Sequence, residues 1–469
     1  RMENRSDREK LNKFNESPEW ETLRQHAVQL LRSHFVSHWP ETLPEPENVS
    51  AAIVALNGFC ILCDWLGSDE NYFTPKPNMP LAEYIVHSRQ QAYRRVKDAG
   101  LLQTAVSHTP ATFSDLFPFP PRPLQTLTDQ IPASVLLRPV LIIIEAPTGE
   151  GKTETALALA RRIAALRGTD EMYIALPTTA TSNAMYTRIQ EHLRNRLGLP
   201  PELVQLVHGQ SFLVKDDLTI KPLENADGEE EAAQEWFAPK KKALLAPFGV
   251  GTIDQAMLSA MNVKHNALRQ IGLAGKVIIL DEVHAYDTYM TTIIKRMLSW
   301  LAALGSSVIL LSATLPQRRR QELIESFAGS TVSLPCPDRY PSLIAINTAG
   351  ELYTPDREIS VYQPNKTIQL ERLYFTEEQA AEKAQWLWQQ VQNGGCAAWI
   401  TNTVDRAIAI HKALQHIVSD DVDVSLLHGR LPQEQRQELE TQIIGKYGKN
   451  GTRPAKGIVV GTQVLEQSL

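Results

Sequence analysis

The sequence predicts an α/β protein with two parallel-sheet units in succession, preceded by an all-helical region. Three observations predict it. The runs at 140–144, 172–176, 276–280 and 308–311 are short and almost entirely apolar, the pattern of strands covered by helices on both faces. Helical stretches alternate with them. A second alternating set, with strands expected at 397–400, 422–427 and 457–460, begins near residue 365.

The chain has 469 residues, room for two or three domains. Hydrophobic residues make up 43% and charged residues 21%, the balance of a soluble globular protein. No uninterrupted run of about 18 apolar residues is visible, so no membrane span is expected. Arg1 to Lys10 are polar and charged, without the apolar core of a signal peptide, so a cytoplasmic location is expected. The net charge of −6 argues mildly against a nucleic-acid binder. A local basic groove and backbone amides can nevertheless hold a phosphate backbone on an acidic protein, so net charge decides little.

In chain order, 20–39, 51–66 and 81–96 carry helical spacing. The 51–66 helix reads as buried, and Cys60 and Cys63 within it read as core cysteines, with a redox or metal role as the alternative. The other cysteines, Cys336 and Cys396, supply no second pair at zinc spacing. Pro110 to Pro123 is proline-dense and reads as a linker or as the entry to the next domain. Residues 214–240 contain Glu229-Glu230-Glu231 and read as a solvated insertion. These signals divide the chain into a helical region at 1–105, a linker at 106–123, a first α/β unit at 124–345 and a second at 346–469. The sequence opens on Arg1 and stops one step beyond a core strand. A sheet needs covering helices, so the second unit is expected to be incomplete, with sequence missing at both ends.

Ala146-Pro147-Thr148-Gly149-Glu150-Gly151-Lys152-Thr153 follows the first strand and precedes a helix expected at 154–166. That context makes a phosphate loop. Its glycines let backbone amides curl toward phosphates, and the helix N-terminus adds positive potential. Lys152 would meet the β and γ phosphates of ATP, and Thr153 would hold Mg²⁺. Ala146 replaces the usual first glycine, a form that resembles the phosphate loops of superfamily 2 helicases.

The strand at 276–280 ends in Asp281-Glu282-Val283-His284. Phosphoryl transfer needs positioning and charge stabilisation. Asp281 is therefore expected to hold Mg²⁺, Glu282 to orient the attacking water, and His284 to link the γ-phosphate to the next element. That element is Ser312-Ala313-Thr314, again at a strand end. In superfamily 2 helicases the matching Ser and Thr couple hydrolysis to domain movement.

Gln125, in Arg122-Pro123-Leu124-Gln125, is similar in position to a glutamine that reads adenine; a plain helix start is the alternative. Pro177, Thr178 and Thr179 follow the second strand and suit backbone phosphates rather than bases. Arg188 lies one or two turns on. Thr252 and Asp254 resemble a later backbone-contacting element. Lys240-Lys241-Lys242 fits a solvated face as readily as a nucleic-acid contact. In the second unit, Thr401-Asn402-Thr403, His428-Gly429-Arg430 with Arg436, and Gly461-Thr462-Gln463 with Glu466 and Gln467 resemble the helicase elements that face nucleic acid. The arginine-finger element is absent from this sequence, so slow ATP hydrolysis is expected of this fragment alone.

Several strings are more specific. Glu145 to Glu154, Asp281-Glu282-Val283-His284-Ala285-Tyr286-Asp287, Gly251 to Gln255 and Gly461 to Leu469 resemble the CRISPR-associated helicase-nuclease of type I interference systems, over roughly 50–469. Cys63-Asp64-Trp65-Leu66-Gly67-Ser68 resembles the end of that family's HD nuclease domain, with Asp64 its last metal carboxylate. The other HD ligands are not in this sequence. The resemblance implies two RecA-like motor domains, the second incomplete, behind an all-α remnant of an HD domain. It implies movement on single-stranded DNA, recruitment by a crRNA-guided surveillance complex of the Cascade type, and a divalent transition metal at the HD site of the intact protein. A generic superfamily 2 DNA or RNA helicase, or a nucleotide-dependent binding scaffold with an inert motor, are the competing readings.

Overall fold

The computed structural model describes residues 18–35, 48–76, 78–99, 101, 112–169, 171–177, 179–192, 204–207, 244–263, 266–334, 339–362, 367–376, 378–419, 421–448 and 451–468. The expected insertion at 214–240, Lys240 to Lys242, Pro110, Thr178 and Cys336 lie outside them. Residues 1–49 form one compact unit and 50–469 another. The first contributes helix α1 (Pro18–Phe35).

Strand β1 (Val140–Glu145) is buried along its whole length. Its side chains alternate between two apolar layers. Ile142 and Ile144 join one layer with Ala156, Leu159 and Ile163; Leu141 and Ile143 join the other with Leu298 and Leu323. A strand with a core on both faces must be apolar at every position, which is why this run carries no polar alternation. Around it lie β2 (Met172–Leu176), β3 (Val204–Val207), β4 (Phe248–Thr252), β5 (Val277–Leu280), β6 (Ser307–Ser312), β7 (Ser342–Asn347) and β8 (Leu352–Tyr353) in the order β3-β4-β2-β5-β6-β1-β7-β8. Strands β1 to β6 pair in parallel, whereas β7 runs antiparallel to β1 and β8 antiparallel to β7.

Four of these strands, β3, β4, β7 and β8, were not among the expected ones. Phe248–Thr252 carries two glycines, and β7 and β8 form a late antiparallel hairpin beyond the helical alternation. The boundary expected at 345 falls inside β7, and the first sheet runs on through Tyr353. Of the two readings of the proline-dense stretch, its described residues fit a domain entry rather than a free linker. Phe113, Leu116 and Phe117 are buried in the core of the first sheet, and Pro123 opens a helical turn at Pro123–Thr126. Thr112 caps the segment's first helical turn, Pro123 opens its second, and its aromatic residues anchor it.

The second sheet has strands β9 (Gly395–Ile400), β10 (Asp423–Leu427) and β11 (Lys456–Gly461), all parallel in the order β10-β11-β9. Phe375, Trp386 and Trp399 form a triangle of edge-to-face contacts with ring centroids 6.1–6.5 Å apart, a geometry that aromatic quadrupoles favour.

Helix α2 (Val49–Gly67) forms where expected, but it is not a buried helix. Only Ala51 and Gly58 are buried, while Ile53, Leu56, Phe59, Cys60 and Cys63 are exposed. Its contact is made at Gly58. A Cβ there would fall 2.5 Å from the carbonyl oxygen of Ala267, so the missing side chain lets two backbones approach. Apolar composition predicts burial only where a partner covers each face, and among the described residues one face is covered. The helix is also long and apolar enough to cross a membrane by length and composition, contrary to expectation. Asn57, Gly58 and Asp64 interrupt the apolar run without lowering its average below that level. A single such helix is weak evidence, and the packing at Gly58 gives it a protein partner.

Candidate nucleotide site

Parallel sheets present their functional groups at the carboxyl ends of the strands, and the sequence motifs converge there. Gly149 (φ 90°) and Gly151 (φ 85°) take left-handed conformations open to residues without a Cβ. Helix α3 (Leu81–Asp98) lies upstream. The helix leaving the loop, Lys152–Arg167, begins at Gly151 and ends at Gly168, also left-handed. A cavity of about 610 Å³ opens over this loop. Lys152, Thr153, Asp281 and Glu282 line it together with Phe119, Arg122 and Tyr362.

The Lys152 ammonium donates to the carbonyl oxygens of Ala146 at 2.8 Å and Pro147 at 3.3 Å. Burial lowers its pKa below the ordinary lysine value, and the carboxylates of Glu282, Asp281 and Glu150 oppose that shift. Asp281 moves the other way. Burial and the neighbouring Glu282 raise its pKa to about 6, against the pull of the Glu282 N–H, Lys152 and Arg188. The Thr153 hydroxyl and the Asp281 carboxylate are hard oxygen donors of the kind Mg²⁺ takes, so the residues fit that ion. A bound Mg²⁺ would neutralise developing charge on a transferring phosphoryl group.

Glu282 has φ 54°, the only non-glycine positive φ among the described residues. Such strain costs about 1–3 kcal/mol and collects at functional sites. Here it turns the carboxylate toward His284, whose Nε2 lies 3.2 Å from Glu282 Oε2. The main-chain N–H of Ala313 donates to His284 Nδ1 at 3.2 Å, and Ser312 Oγ lies 3.4 Å from the same nitrogen. A donor aimed at Nδ1 requires that nitrogen to be bare, so the ring proton sits on Nε2 and is donated to Glu282. Ser312 Oγ donates to Thr314 O at 2.8 Å, which fixes the turn. Tyr286 donates its hydroxyl to the Asp281 carbonyl at 2.9 Å, and Asp287 caps the next helix through Met290 N.

The carboxamide of Gln125 is held by main-chain groups. Its oxygen accepts from Arg122 N at 2.9 Å, and its nitrogen lies 3.4 Å from Gly151 O. It lines the cavity in that pinned position. Sequence reasoning assigned no role to Glu145. This carboxylate is 2% exposed, pairs with Arg320 Nε at 2.6 Å and accepts from Leu315 N at 2.9 Å. It joins the root of the phosphate loop to the segment beyond Ser312-Ala313-Thr314. A carboxylate closing an otherwise apolar strand was the available signal. Glu154, just past the phosphate loop, pairs with Arg188.

Pro177 follows β2, and Thr252 is the last residue of β4, where it pairs with Leu176. Asp254 is exposed nearby. The side chain of Thr179 lies outside the described residues. In the second sheet Thr401, His428 and Thr462 share the carboxyl edge through Thr401 N to Gly461 O at 2.9 Å and Thr462 N to Leu427 O at 3.2 Å. Asn402, Thr403 and Gln463 are exposed. His428 is buried, and its Nδ1 has no hydrogen-bond partner among the described residues. Arg430 pairs with Asp405 at 2.7 Å on the surface. Asp64 is exposed on α2, and no group of three or more potential metal-ligating side chains occurs among the described residues. Among the described residues no HD metal site is assembled.

Three family models match the chain: Cas3, HD domain, over 1–73; DEAD/DEAH box helicase over 130–323; and CRISPR-associated nuclease/helicase Cas3, C-terminal, over 393–469. A CRISPR-associated nuclease/helicase Cas3 from Streptococcus thermophilus is 34% identical across 90% of this chain and 47% of its own length. The chain belongs to the Cas3 family. The crystal structure of T. fusca Cas3-ADP shares the fold at a TM-score of 0.81 and 30% identity, over 100% of this chain and 54% of that one. A chain from a structure described as a CRISPR RNA-guided surveillance complex, pre-nicking, matches at a TM-score of 0.71 and 26% identity, over 100% of this chain and 51% of that one. The chain spans about half the length of the curated Cas3 relatives it matches.

Proposed function

We propose that this chain is the motor part of a CRISPR interference helicase-nuclease, which hydrolyses ATP with Mg²⁺ to move along single-stranded DNA. The carrying observation is the chain of contacts from Glu282 through His284 to Ala313. It connects the carboxylate expected to orient the attacking water with the element expected to move. Lys152 and Asp281 supply charge at the same cavity, the positioning and electrostatic stabilisation that phosphoryl transfer needs.

The exposed Asn402, Thr403 and Gln463 and the strand-end residues Pro177 and Thr252 would hold the DNA backbone without reading sequence. In the whole protein Asp64 would join an HD site carrying divalent transition metal. A crRNA-guided surveillance complex would recruit it in the cytoplasm, a reading supported by the similar chain from a surveillance-complex structure. The domain division that fits is helical HD-type residues to about 105, a first motor domain running through Tyr353, and a second from the segment after it.

The test is ATP hydrolysis by the full-length protein with and without single-stranded DNA, and with single-stranded RNA as control. DNA-selective stimulation that is lost in Lys152→Ala supports the reading. Equal stimulation by RNA points to a generic helicase, and no hydrolysis under any condition leaves a binding scaffold.

A further inference from the structure

The segment leaving the first sheet after β8 returns over the phosphate loop. The main-chain N–H of Tyr362 lies 3.0 Å from each carboxylate oxygen of Glu150, inside the loop. The Arg122 guanidinium lies over the Tyr362 ring, 4.3 Å from its centroid, and donates to Gly149 O. Two contacts therefore hold Tyr362 at the cavity that also holds Lys152 and Asp281: its main-chain N–H on Glu150, and the Arg122 guanidinium over its ring. Despite these ties Tyr362 remains 52% exposed.

A ring held open costs free energy unless something covers it, because exposed aromatic surface is unfavourable in water. The carboxamide of the nearby Gln125 is already engaged by main-chain groups. The Gln125 oxygen accepts from Arg122 N, so shape and stacking have more to offer a base here than that oxygen has. Building on the nucleotide-site reading above, we propose that Tyr362 is the stacking platform for the heteroaromatic base of the bound nucleoside triphosphate. Glu150 and Arg122 act as its positioning residues. Because Glu150 holds Tyr362 by the main chain, the ring can be changed while that tie remains.

The experiment measures equilibrium binding to the full-length protein of two probes in the presence of Mg²⁺: ATP, and inorganic tripolyphosphate, which lacks a base. The variants are Tyr362→Ala and Tyr362→Phe. Base–aromatic stacking has a magnitude that corresponds to about a tenfold change in affinity. Tyr362→Ala should therefore weaken ATP about tenfold and leave tripolyphosphate unchanged, and Tyr362→Phe should restore wild-type affinity for ATP. Equal loss for both probes overturns the proposal, since the ring would then act through the phosphate loop. No change for either probe also overturns it. Failure of the wild-type protein to bind either probe overturns the nucleotide-site reading as well, so the two failures are told apart.

Discussion

His284 Nε2 lies 3.2 Å from the Glu282 carboxylate, with the ring's other nitrogen held by the Ala313 N–H at 3.2 Å. One side chain thus spans two motifs 29 residues apart in sequence. Removing it should leave nucleotide binding intact and break communication. His284→Ala is expected to bind ATP within about twofold of wild type but to turn over about 10²-fold more slowly, the scale of misplaced catalytic groups. Stimulation by single-stranded DNA should be lost. Steady-state kinetics with and without DNA measure both. Retained stimulation would refute the coupling role.

The raised pKa of Asp281 gives a pH signature with a definite sign. The carboxyl moves from 3.8 to about 6, so between those values the folded protein keeps a proton that the unfolded chain has released. This group's contribution to stability is full below 3.8 and is lost as pH rises through 6. Affinity for Mg²⁺ runs the opposite way, because proton and metal compete for the carboxylate. Mg-nucleotide affinity should fall as pH drops below about 6. Asp281→Asn should flatten both profiles, as measured by urea midpoints and by titration calorimetry across pH 5–8.

Breaking the buried Glu145–Arg320 pair should be costly. Their side chains are 3% and 9% exposed, and removing one partner strands the other charge in the core. Arg320→Met is expected to destabilise the first sheet by about 3–5 kcal/mol. The double variant Glu145→Leu with Arg320→Met should lose less than the sum of the single changes. Denaturation midpoints of the four proteins test this, and strict additivity would exclude an energetic pair.

Two glycines of the phosphate loop should differ. A Cβ at Gly149 would meet nothing within 4 Å, whereas one at Gly151 would fall 2.2 Å from Gln125 Nε2. Both have positive φ, so Gly149→Ala should cost only strain, about 1–3 kcal/mol. Gly151→Ala should also displace Gln125 and weaken ATP binding further. Thermal melting and ATP affinity compared side by side decide it; equal effects would mean that the Gln125 contact carries no weight.

Much of the site was legible because its chemistry is local. The phosphate loop needs glycines, a lysine and a hydroxyl between a strand and a helix, and all of them are contiguous from Ala146 to Thr153. The acidic pair Asp281 and Glu282 closes a run whose uniform apolarity marks a buried strand. Less legible were β7 and β8, whose antiparallel pairing adds strands to a sheet already signalled as parallel. The burial of Phe113, Leu116 and Phe117 was hidden by the prolines around them.

The sequence by itself determined the two-sheet α/β plan, the phosphate loop and the acidic strand end, because each rests on residues within one strand-turn-helix unit. Only the tertiary structure decided which residues meet across the fold. It joined Glu145 to Arg320, His284 to Ala313 and Tyr362 to Glu150, partners separated by 175, 29 and 212 residues. It also decided that, among the described residues, only one face of α2 is covered. Periodicity records how a residue relates to its near neighbours along the chain. Contacts at such separations depend on strand order and on the direction in which the chain returns, and neither is encoded in any short window.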